Sequence, residues 1–261
     1  MRIDPHHAVP PSPVLLWSEW RSVAELAACG VAAPWLATLP KGDGHPVLVL
    51  PGLATSDLST TPLRRFLKSR DYSVYGWKMG RNSGYREGVE QHVRKRLREI
   101  YKTHGRRVSL IGWSLGGIYA RQLAKMAPEE VRMVITLGSP FRGNPRASHA
   151  WRLYESMAGH SVDEVRLQQT DIETPPPVPF TSIYSRSDGI VAWECCVEDE
   201  GDRIENIEVE ASHCGIAHHP TSLGVIADRL AQPSDTWTPY AGGLAGWPLS
   251  LFARPLNGGH A

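Results

Sequence analysis

The sequence predicts an α/β protein with a mostly parallel central sheet, helices on both faces and a small helical cap. Two observations support this fold class. From His45 to about Pro220, short apolar runs alternate with amphipathic helical stretches, as they do when parallel strands are connected by helices. A glycine-rich turn around Ser114 also joins one of these runs directly to a helix. With 261 residues, 41% of them apolar and 21% charged, the chain is long enough for one well-cored domain.

Residues 1–44 are predicted to form an N-terminal helical extension. Between positions 14 and 39, apolar residues recur at approximate helical spacing, which indicates one or two helices that pack an apolar stripe against the following domain. Lys41-Gly42-Asp43-Gly44 then ends the segment with turn residues. The stripe consists of Leu15, Leu16, Trp17, Trp20, Val23, Leu26 and Ala27.

The core is predicted to span residues 45–231. Its apolar runs are short, as buried parallel strands are, and lie at Pro46–Leu50, Ser73–Trp77, Val108–Gly112, Val131–Leu137, Phe180–Tyr184 and Ile204–Glu210. Helical stretches separate or follow them at about Leu63–Lys68, Tyr85–Thr103, Leu115–Met126 and Leu223–Leu230. Strand–helix alternation of this kind predicts a sheet with helices on both faces.

Two segments depart from the alternation. Residues 142–178 hold Trp151 and Tyr154 on a loose helical period and end in three prolines, so we expect a cap over the strand ends. An ordinary crossover helix with a long loop is the alternative. Residues 232–261 are rich in proline, glycine and aromatic residues, too apolar for a solvated tail, and are predicted to pack on the core. A partner-binding arm is the other interpretation.

Charge and hydropathy exclude several classes of partner. The net charge is +1, and the basic residues between Arg94 and Arg98 fall on the solvated face of a predicted helix, so we expect no nucleic-acid partner. No apolar run reaches the roughly 18 residues of a membrane span. The first residues lack the apolar stretch of a secretory signal, which favours a cytoplasmic protein. Nothing in the sequence indicates the oligomeric state.

The turn around Ser114 is the first candidate for chemistry. A predicted strand ends at Gly112 and a predicted helix begins at Leu115, so almost no loop separates them. Such a turn strains the serine backbone and requires small residues two positions before and after it, where Gly112 and Gly116 stand. It exposes the hydroxyl above the sheet, beside the positive end of the helix. Ser114 is therefore the predicted nucleophile.

A serine hydroxyl needs a base to remove its proton and a carboxylate to orient that base. When the serine occupies such a turn, the acid and then the base follow later strands of the sheet. Asp188 follows the predicted strand Phe180–Tyr184, and His213 follows the last predicted strand. We predict Asp188 as the acid and His213 as the base, with His218 as the alternative base deeper in the same loop.

Two backbone amides are predicted to stabilise the oxyanion. The amide of Leu115 lies directly after the nucleophile, and the amide of Leu53 follows a Pro-Gly turn at the end of the first strand. Because the main chain is the donor at both positions, substitution of either side chain would test this role poorly.

Together these pieces resemble the α/β-hydrolase superfamily, in particular its bacterial lipase and esterase branch. Four motifs match it in family order across about residues 45–220: Pro51-Gly52, Gly112-Trp113-Ser114-Leu115-Gly116-Gly117, Ser185-Arg186-Ser187-Asp188-Gly189-Ile190-Val191 and Ser212-His213-Cys214-Gly215. The first is Pro-Gly where many relatives have His-Gly. The resemblance implies ester hydrolysis through an acyl-enzyme but leaves the ester open, because this fold hosts many substrates.

The cysteines suggest a further hypothesis. The acid and base loops must approach each other for Asp188 to reach His213, which would also bring Cys196 and Cys214 near each other. A Cys196–Cys214 disulfide could then join the loops, with Cys195 as the alternative partner; such a bond would weaken the cytoplasmic assignment. The cysteines lack the spacing of a metal site, and the triad needs no cofactor, so none is expected.

The leading functional interpretation is a carboxylic-ester hydrolase whose partner is a small-molecule acyl ester. The short cap of mixed polarity favours small or medium acyl groups. An acyltransferase with the same triad shares the first half-reaction and is one alternative. A ligand-binding homologue without catalysis is the other, although such a protein would be expected to lack a member of the triad.

Overall fold

The computed structural model describes residues 3–86, 88–164, 171–234, 236–242 and 253–255. Its strands in chain order are β1 (Pro46–Leu50), β2 (Ser73–Gly76), β3 (Val108–Trp113), β4 (Val131–Leu137), β5 (Phe180–Tyr184), β6 (Ile204–Val209) and β7 (Ala253–Pro255). The α-helices are α1 (Pro13–Trp17), α2 (Ser22–Val31), α3 (Ala33–Leu36), α4 (Thr61–Ser69), α5 (Val89–His104), α6 (Leu115–Met126), α7 (Trp151–Ala158) and α8 (Pro220–Ala231).

The seven strands form one sheet in the order β2-β1-β3-β4-β5-β6-β7. All neighbouring pairs are parallel except β6 and β7, which run antiparallel. Parallel strands carry their carboxyl ends to the same edge, where loops from β1, β3, β4, β5 and β6 can meet. The predicted fold class is confirmed, and the predicted strands agree with the observed ones to within one residue.

Alternation along β1 shows how the sheet is buried on both faces. Val47 and Val49 pack on one side with α3, α4 and α8, whereas Leu48 and Leu50 pack on the other side with α5 and α6. All four side chains are fully buried. A strand covered on both faces needs apolar residues throughout, which explains why the sequence shows continuous apolar runs.

The two helix starts that lie furthest from the predicted positions differ for local reasons. Helix α5 begins at Val89, later than the predicted Tyr85, because Gly88 before it has a left-handed backbone with a φ of 84°. Helix α8 begins at Pro220, earlier than the predicted Leu223, since a proline fits the first turn and His219 caps it by accepting the amide hydrogen of Thr221.

The N-terminal segment is helical, but its predicted packing is wrong. Trp17 is 81% exposed, Trp20 74% and Val23 73%, so the apolar stripe faces outward. The segment is attached instead through α3, whose Trp35 and Leu36 are buried in the core, and through a short 3-10 turn, Ser18–Arg21, in which Glu19 is buried. Helical spacing identified a shared face of the helix, but hydrogen bonds made by polar side chains decide which face meets the domain.

The segment predicted as a cap contains α7 and is attached to the loops around it. The amide of His149 donates to the carbonyl of Ile190 at 2.8 Å, and Ser148 forms an isolated antiparallel bridge with Val191. On the other side, the hydroxyl of Tyr154 accepts a hydrogen bond from the amide of Tyr85. Residues 165–170 of this segment lie outside the described part of the chain.

In the C-terminal segment, Tyr240 is buried and its amide donates to Glu205 Oε2 at 2.7 Å. Residues 243–252 and 256–261 lie outside the described residues, so the expectation for them stays a prediction. Among the described residues, no helix combines the length and the apolar character needed to cross a bilayer.

Candidate active site

Ser114 lies between β3 and α6 with a φ of 52° and a ψ of −123°, a conformation that non-glycine residues rarely adopt. The turn that contains Ser114 is tight, because neighbouring backbone segments approach each other closely at Gly112 and Gly116. A Cβ at Gly112 would lie 2.3 Å from the carbonyl oxygen of Gly116, and one at Gly116 would lie 2.3 Å from the carbonyl oxygen of Leu50. Only glycine fits these two positions without moving the backbone.

The structure brings the three predicted side chains into one hydrogen-bonded chain. The Nε2 atom of His213 lies 3.0 Å from Ser114 Oγ, and its Nδ1 atom lies 2.6 Å from Asp188 Oδ2. Asp188 follows β5 and His213 follows β6, so the parallel sheet carries both to the edge where Ser114 stands. His218, the alternative base, binds the carbonyl oxygen of Ser22 at 3.1 Å instead.

Local hydrogen bonds and one glycine fix Asp188 and His213 against each other. The Oδ1 atom of Asp188 accepts the amide hydrogens of Ile190 at 2.8 Å and Val191 at 2.7 Å. Gly138, just after β4, has a φ of 55°, and a Cβ there would lie 3.2 Å from Asp188 Oδ2 and 3.3 Å from His213 Nδ1. Sequence reasoning missed Gly138, although a glycine directly after a strand was a usable signal.

Electrostatics favour a protonated imidazole at His213. Burial by itself would lower its pKa, but the carboxylates of Asp188 and, more remotely, Glu19 raise the pKa of His213 above its ordinary value. The hydrogen bond from Asp188 acts in the same direction. An imidazole in this setting is suited to accept a proton and hold the resulting charge.

A second Ser–His–Asp arrangement lies at the opposite end of the sheet. His45 Nδ1 is 2.6 Å from Asp43 Oδ1, and its Nε2 is 2.9 Å from Ser109 Oγ. Ser109, however, is fully buried within β3, and burial lowers the pKa of His45 to about 4. Its geometry resembles that at Ser114, but the buried hydroxyl offers no place for a substrate.

The loop after β1 lies beside Ser114. A Cβ at Gly52 would come within 3.2 Å of the Ser114 Cβ, and Leu53 and Leu115 both line the cavity that contains Ser114. Among the hydrogen bonds of the described residues, none is donated by the amide of Leu53 or of Leu115. The predicted role of both amides as oxyanion donors is compatible with this and stays a prediction.

Asn82 supports this loop and was not predicted. It is fully buried, and its side-chain amide donates to the carbonyl of Pro51 at 2.8 Å. Its backbone carbonyl accepts the amide hydrogen of Ala54, which has a φ of 61°. Asn82 lies 31 residues from Pro51 in the chain, so no local sequence pattern could have indicated the contact.

Ser114 opens into an apolar cavity with about 850 Å³ of empty space, part of it continuous with solvent. Aromatic and aliphatic residues from α6, the cap and the loop before α5 make most of its wall, which suits a hydrocarbon chain. In addition to Ser114, the residues that line the cavity are Leu53, Tyr85, Leu115, Ile118, Tyr119, Pro140, Pro145, Ser148, Ala150, Trp151, Tyr154, Val162, Ile172 and Val191.

The Cys196–Cys214 disulfide is not formed, and both residues are free thiols. The thiol of Cys196 is fully buried near the backbone carbonyl of Ala192, whereas Cys214 is hydrogen-bonded to Glu19. Burial and the negative charge of Glu19 raise the pKa of Cys214 to about 12, so it stays protonated. The acid and base loops do approach each other, but a carboxylate lies where the hypothesis placed a disulfide.

Comparisons with known proteins agree with this architecture. Residues 46–174 match the family model of palmitoyl protein thioesterases. Among solved structures, lipase B of Aspergillus fumigatus is similar with 18% identity and a TM-score of 0.57, covering 75% of this chain. The chain spans only 55% of the length of that lipase. A search of curated protein sequences finds no match.

Two further structures have more nearly the same length. The mature lipase BlEst2 of Bacillus licheniformis is 16% identical, with a TM-score of 0.55 over 75% of this chain and 95% of that chain. The monoacylglycerol lipase of Paleococcus ferrophilus is 13% identical, with a TM-score of 0.53 over 73% and 96%. At such identities the likeness establishes the fold. Together with the sheet order, it shows that the chain has the α/β-hydrolase fold, and the family-model match agrees with that fold.

Proposed function

We propose that the protein is a serine hydrolase that cleaves acyl esters through an acyl-enzyme on Ser114. One observation carries the proposal. A continuous hydrogen-bonded chain from Asp188 through His213 to Ser114, of 2.6 and 3.0 Å, ends at the wall of an apolar cavity. The family-model match and the lipase fold of the neighbours support a hydrolase as well.

The proposed reaction begins with proton transfer from Ser114 Oγ to His213 Nε2 as the oxygen attacks the acyl carbonyl carbon. The C=O electrons move to the carbonyl oxygen, which the amides of Leu53 and Leu115 stabilise. When this intermediate collapses, the bond to the alcohol oxygen breaks and the imidazolium returns its proton to that oxygen. The acyl group then remains on Ser114 as an ester.

Water completes the cycle by the same steps in the second half-reaction. His213 removes a proton from water as its oxygen attacks the acyl-enzyme, and then protonates Ser114 Oγ as the acid is released. Asp188 stays ionised throughout and stabilises the imidazolium through its 2.6 Å hydrogen bond. These groups complete the reaction without a further reagent.

The cavity supports an acyl substrate, and the sequence-based expectation of small or medium acyl groups is part of the proposal. Its wall is apolar and it opens to solvent on one side, so an acyl chain can leave water while the alcohol part stays outside. The match to palmitoyl protein thioesterases favours thioesters as a second class of substrate. A thioester needs the same nucleophile and the same oxyanion donors, with a thiol as leaving group.

Initial rates on p-nitrophenyl esters from acetate to palmitate, and on thioesters with the same acyl groups, test the proposal. We expect measurable kcat/KM for the native protein with a maximum at a short or medium chain, and its loss in Ser114→Ala. Ser109→Ala is the matched control, because it removes the serine of the second Ser–His–Asp arrangement. Retention of hydrolysis in Ser114→Ala would contradict the proposal.

Product analysis separates hydrolysis from acyl transfer. With an added primary alcohol, a hydrolase yields mainly the free acid, whereas an acyltransferase yields mainly the new ester. Because water reaches the open side of the cavity, we expect the acid to predominate.

A further inference from the structure

Glu19, in the 3-10 turn after α1, places a buried carboxylate directly beneath the proposed triad. It is 9% exposed. Its Oε1 atom accepts the amide hydrogens of Gly189 at 2.8 Å and His213 at 2.9 Å, and its Oε2 atom accepts that of Cys214 at 2.9 Å. One side chain thus binds three backbone amides on two separate loops.

Those amides belong to the loops that carry the acid and the base. Gly189 directly follows Asp188, while His213 and Cys214 form the base loop itself. Because the carboxylate is shared, it fixes the distance between these loops independently of the single hydrogen bond from Asp188 to His213. A carboxylate that accepts several amide hydrogen bonds is held firmly, since each of these bonds is charge-assisted.

Two neighbouring side chains of the same segment add contacts to the same loops. A guanidinium nitrogen of Arg21 donates to the carbonyl oxygen of Ser187 at 2.6 Å, next to Asp188. Glu25 Oε1 accepts the amide hydrogen of Ser212 at 2.8 Å, next to His213. Arg21 and Glu25 in turn form an ion pair at 3.2 Å. The N-terminal segment therefore forms hydrogen bonds with both loops at several positions.

In the described part of the chain, the Glu19 carboxylate is held by backbone amides and not by an ion pair. Arg21 pairs with Glu25, and within the described residues no ion pair involves Glu19. Burial of an unpaired carboxylate costs free energy unless it is hydrogen-bonded, which the three amides provide. A neutral acceptor would avoid this cost, so the retained charge points to a role beyond packing.

We propose that Glu19 is a positioning residue whose carboxylate holds the acid and base loops together and whose charge stabilises the imidazolium that forms on His213. This proposal rests on the proposed function of Ser114 and deepens it. When His213 receives the Ser114 proton, the positive charge develops between two buried carboxylates, Asp188 at Nδ1 and Glu19 at the His213 backbone amide.

The direction in which the Glu19 charge shifts the pKa of His213 follows from the groups around the imidazole. Asp188 and Glu19 raise its pKa, the indole of Trp113 donates to its carbonyl at 3.0 Å without charge, and Cys214 is protonated. Glu25 contacts the base loop at Ser212, but it is paired with Arg21, so the pair as a whole is neutral. Loss of the Glu19 charge therefore lowers the pKa of His213 and moves the acid limb of kcat/KM to lower pH.

An NMR titration of the His213 imidazole in a Ser114→Ala background tests this directly and needs no catalytic activity. The resonance is assigned by its disappearance in His213→Gln. We expect a lower His213 pKa in Glu19→Gln, and a pKa near that of the parent in Glu19→Asp, which keeps the charge. Glu129→Gln, the same change at an exposed site, should leave it unchanged. An unchanged pKa in folded Glu19→Gln would overturn the proposal.

Hydrogen exchange on the native protein tests the three amide hydrogen bonds to Glu19 without any substitution at that residue. If the carboxylate binds the amides of Gly189, His213 and Cys214, these exchange slowly; fast exchange at all three would overturn the proposal even if Glu19→Gln did not fold. In the protein that retains Ser114, Glu19→Gln should lower kcat/KM about 10- to 100-fold, because the catalytic groups would no longer be held in the reactive geometry.

Failure of the positioning role is distinguishable from failure of the proposed function. The first shows an unshifted His213 pKa or unprotected amides, whatever the activity. The second shows a native protein that hydrolyses no ester or thioester, whatever Glu19 does.

Discussion

The Oδ2 atom of Asp188 lies 2.6 Å from Nδ1 of His213, and both side chains are buried. Since Asp188 accepts at Nδ1, the neutral imidazole carries its proton there and presents a lone pair at Nε2, 3.0 Å from Ser114 Oγ. The two atoms thus define which nitrogen is the base in the proposed reaction. The backbone amides that hold the other oxygen of Asp188 keep this orientation in the absence of substrate.

The substitution Asp188→Asn should lower kcat by roughly 10²- to 10⁴-fold while the fold is retained. An amide cannot stabilise the imidazolium, and when its nitrogen faces Nδ1 it favours the wrong tautomer of His213. Steady-state kinetics on the best p-nitrophenyl ester measure the effect, with circular dichroism as the control for folding. A loss smaller than threefold would show that Asp188 is not the orienting acid.

The pH dependence of kcat/KM should have an acid limb centred above 6.5, the ordinary histidine value, because the pKa of His213 is raised. Activity needs the neutral imidazole, so it falls as the pH decreases through the raised pKa. Burial lowers the pKa of His45 to about 4, so that residue cannot produce a limb near neutrality. A rate profile between pH 4 and pH 9 provides the measurement; a midpoint at or below the ordinary value contradicts the assigned electrostatics.

The tight turn at Ser114 predicts a contrast between two glycine substitutions. Gly112→Ala places a Cβ 2.3 Å from backbone atoms of Gly116 and Gly117, and should reduce the free energy of unfolding by on the order of 1–3 kcal/mol. Gly30→Ala, in α2, meets no atom within 4 Å and should change stability by about 1 kcal/mol or less in the stabilising direction. Chemical denaturation compares the two, and equal effects would argue against the tight turn.

The cavity predicts an effect on acyl-chain preference. Trp151, on α7, lines the cavity, so Trp151→Ala removes apolar surface that a longer acyl chain would contact. We expect kcat/KM for an octanoate ester to fall about tenfold relative to acetate, which corresponds to about 1.4 kcal/mol of lost apolar contact. Leu153→Ala, on the same helix but 49% exposed, is the control. An equal loss for both esters would place the acyl chain elsewhere.

The sequence predicted those parts of the molecule whose determinants are local. Strands β1, β4 and β5 begin and end at the predicted residues, because strands buried on both faces are short and mostly apolar. The turn at Ser114 was predictable for the same reason, since glycines two positions away on each side leave few other conformations.

Contacts between distant segments were not predictable in this way. Glu19 is separated from Gly189 by 170 positions and from His213 by 194, and no pattern in a single sequence connects them. The inference that the acid and base loops approach was sound, but the Cys196–Cys214 bond drawn from it was wrong, because proximity of loops does not determine which side chains meet.

The outward-facing tryptophans show a second limit of sequence reasoning. Periodicity indicated that Trp17 and Trp20 share a helical region, yet both are exposed while Glu19 between them is buried. Hydrophobic spacing predicts which residues lie together on a helix, and the partner surface decides which face is covered. Here three amides and a serine carbonyl require polar side chains from the N-terminal segment.

The central claim, that Ser114 is the activated nucleophile, is tested most directly by covalent labelling with a fluorophosphonate probe followed by peptide mapping. We predict a single modified site on the peptide that contains Ser114, full labelling in Ser109→Ala and none in Ser114→Ala. The absence of labelling in the native protein, or an adduct on any other residue, would contradict the account.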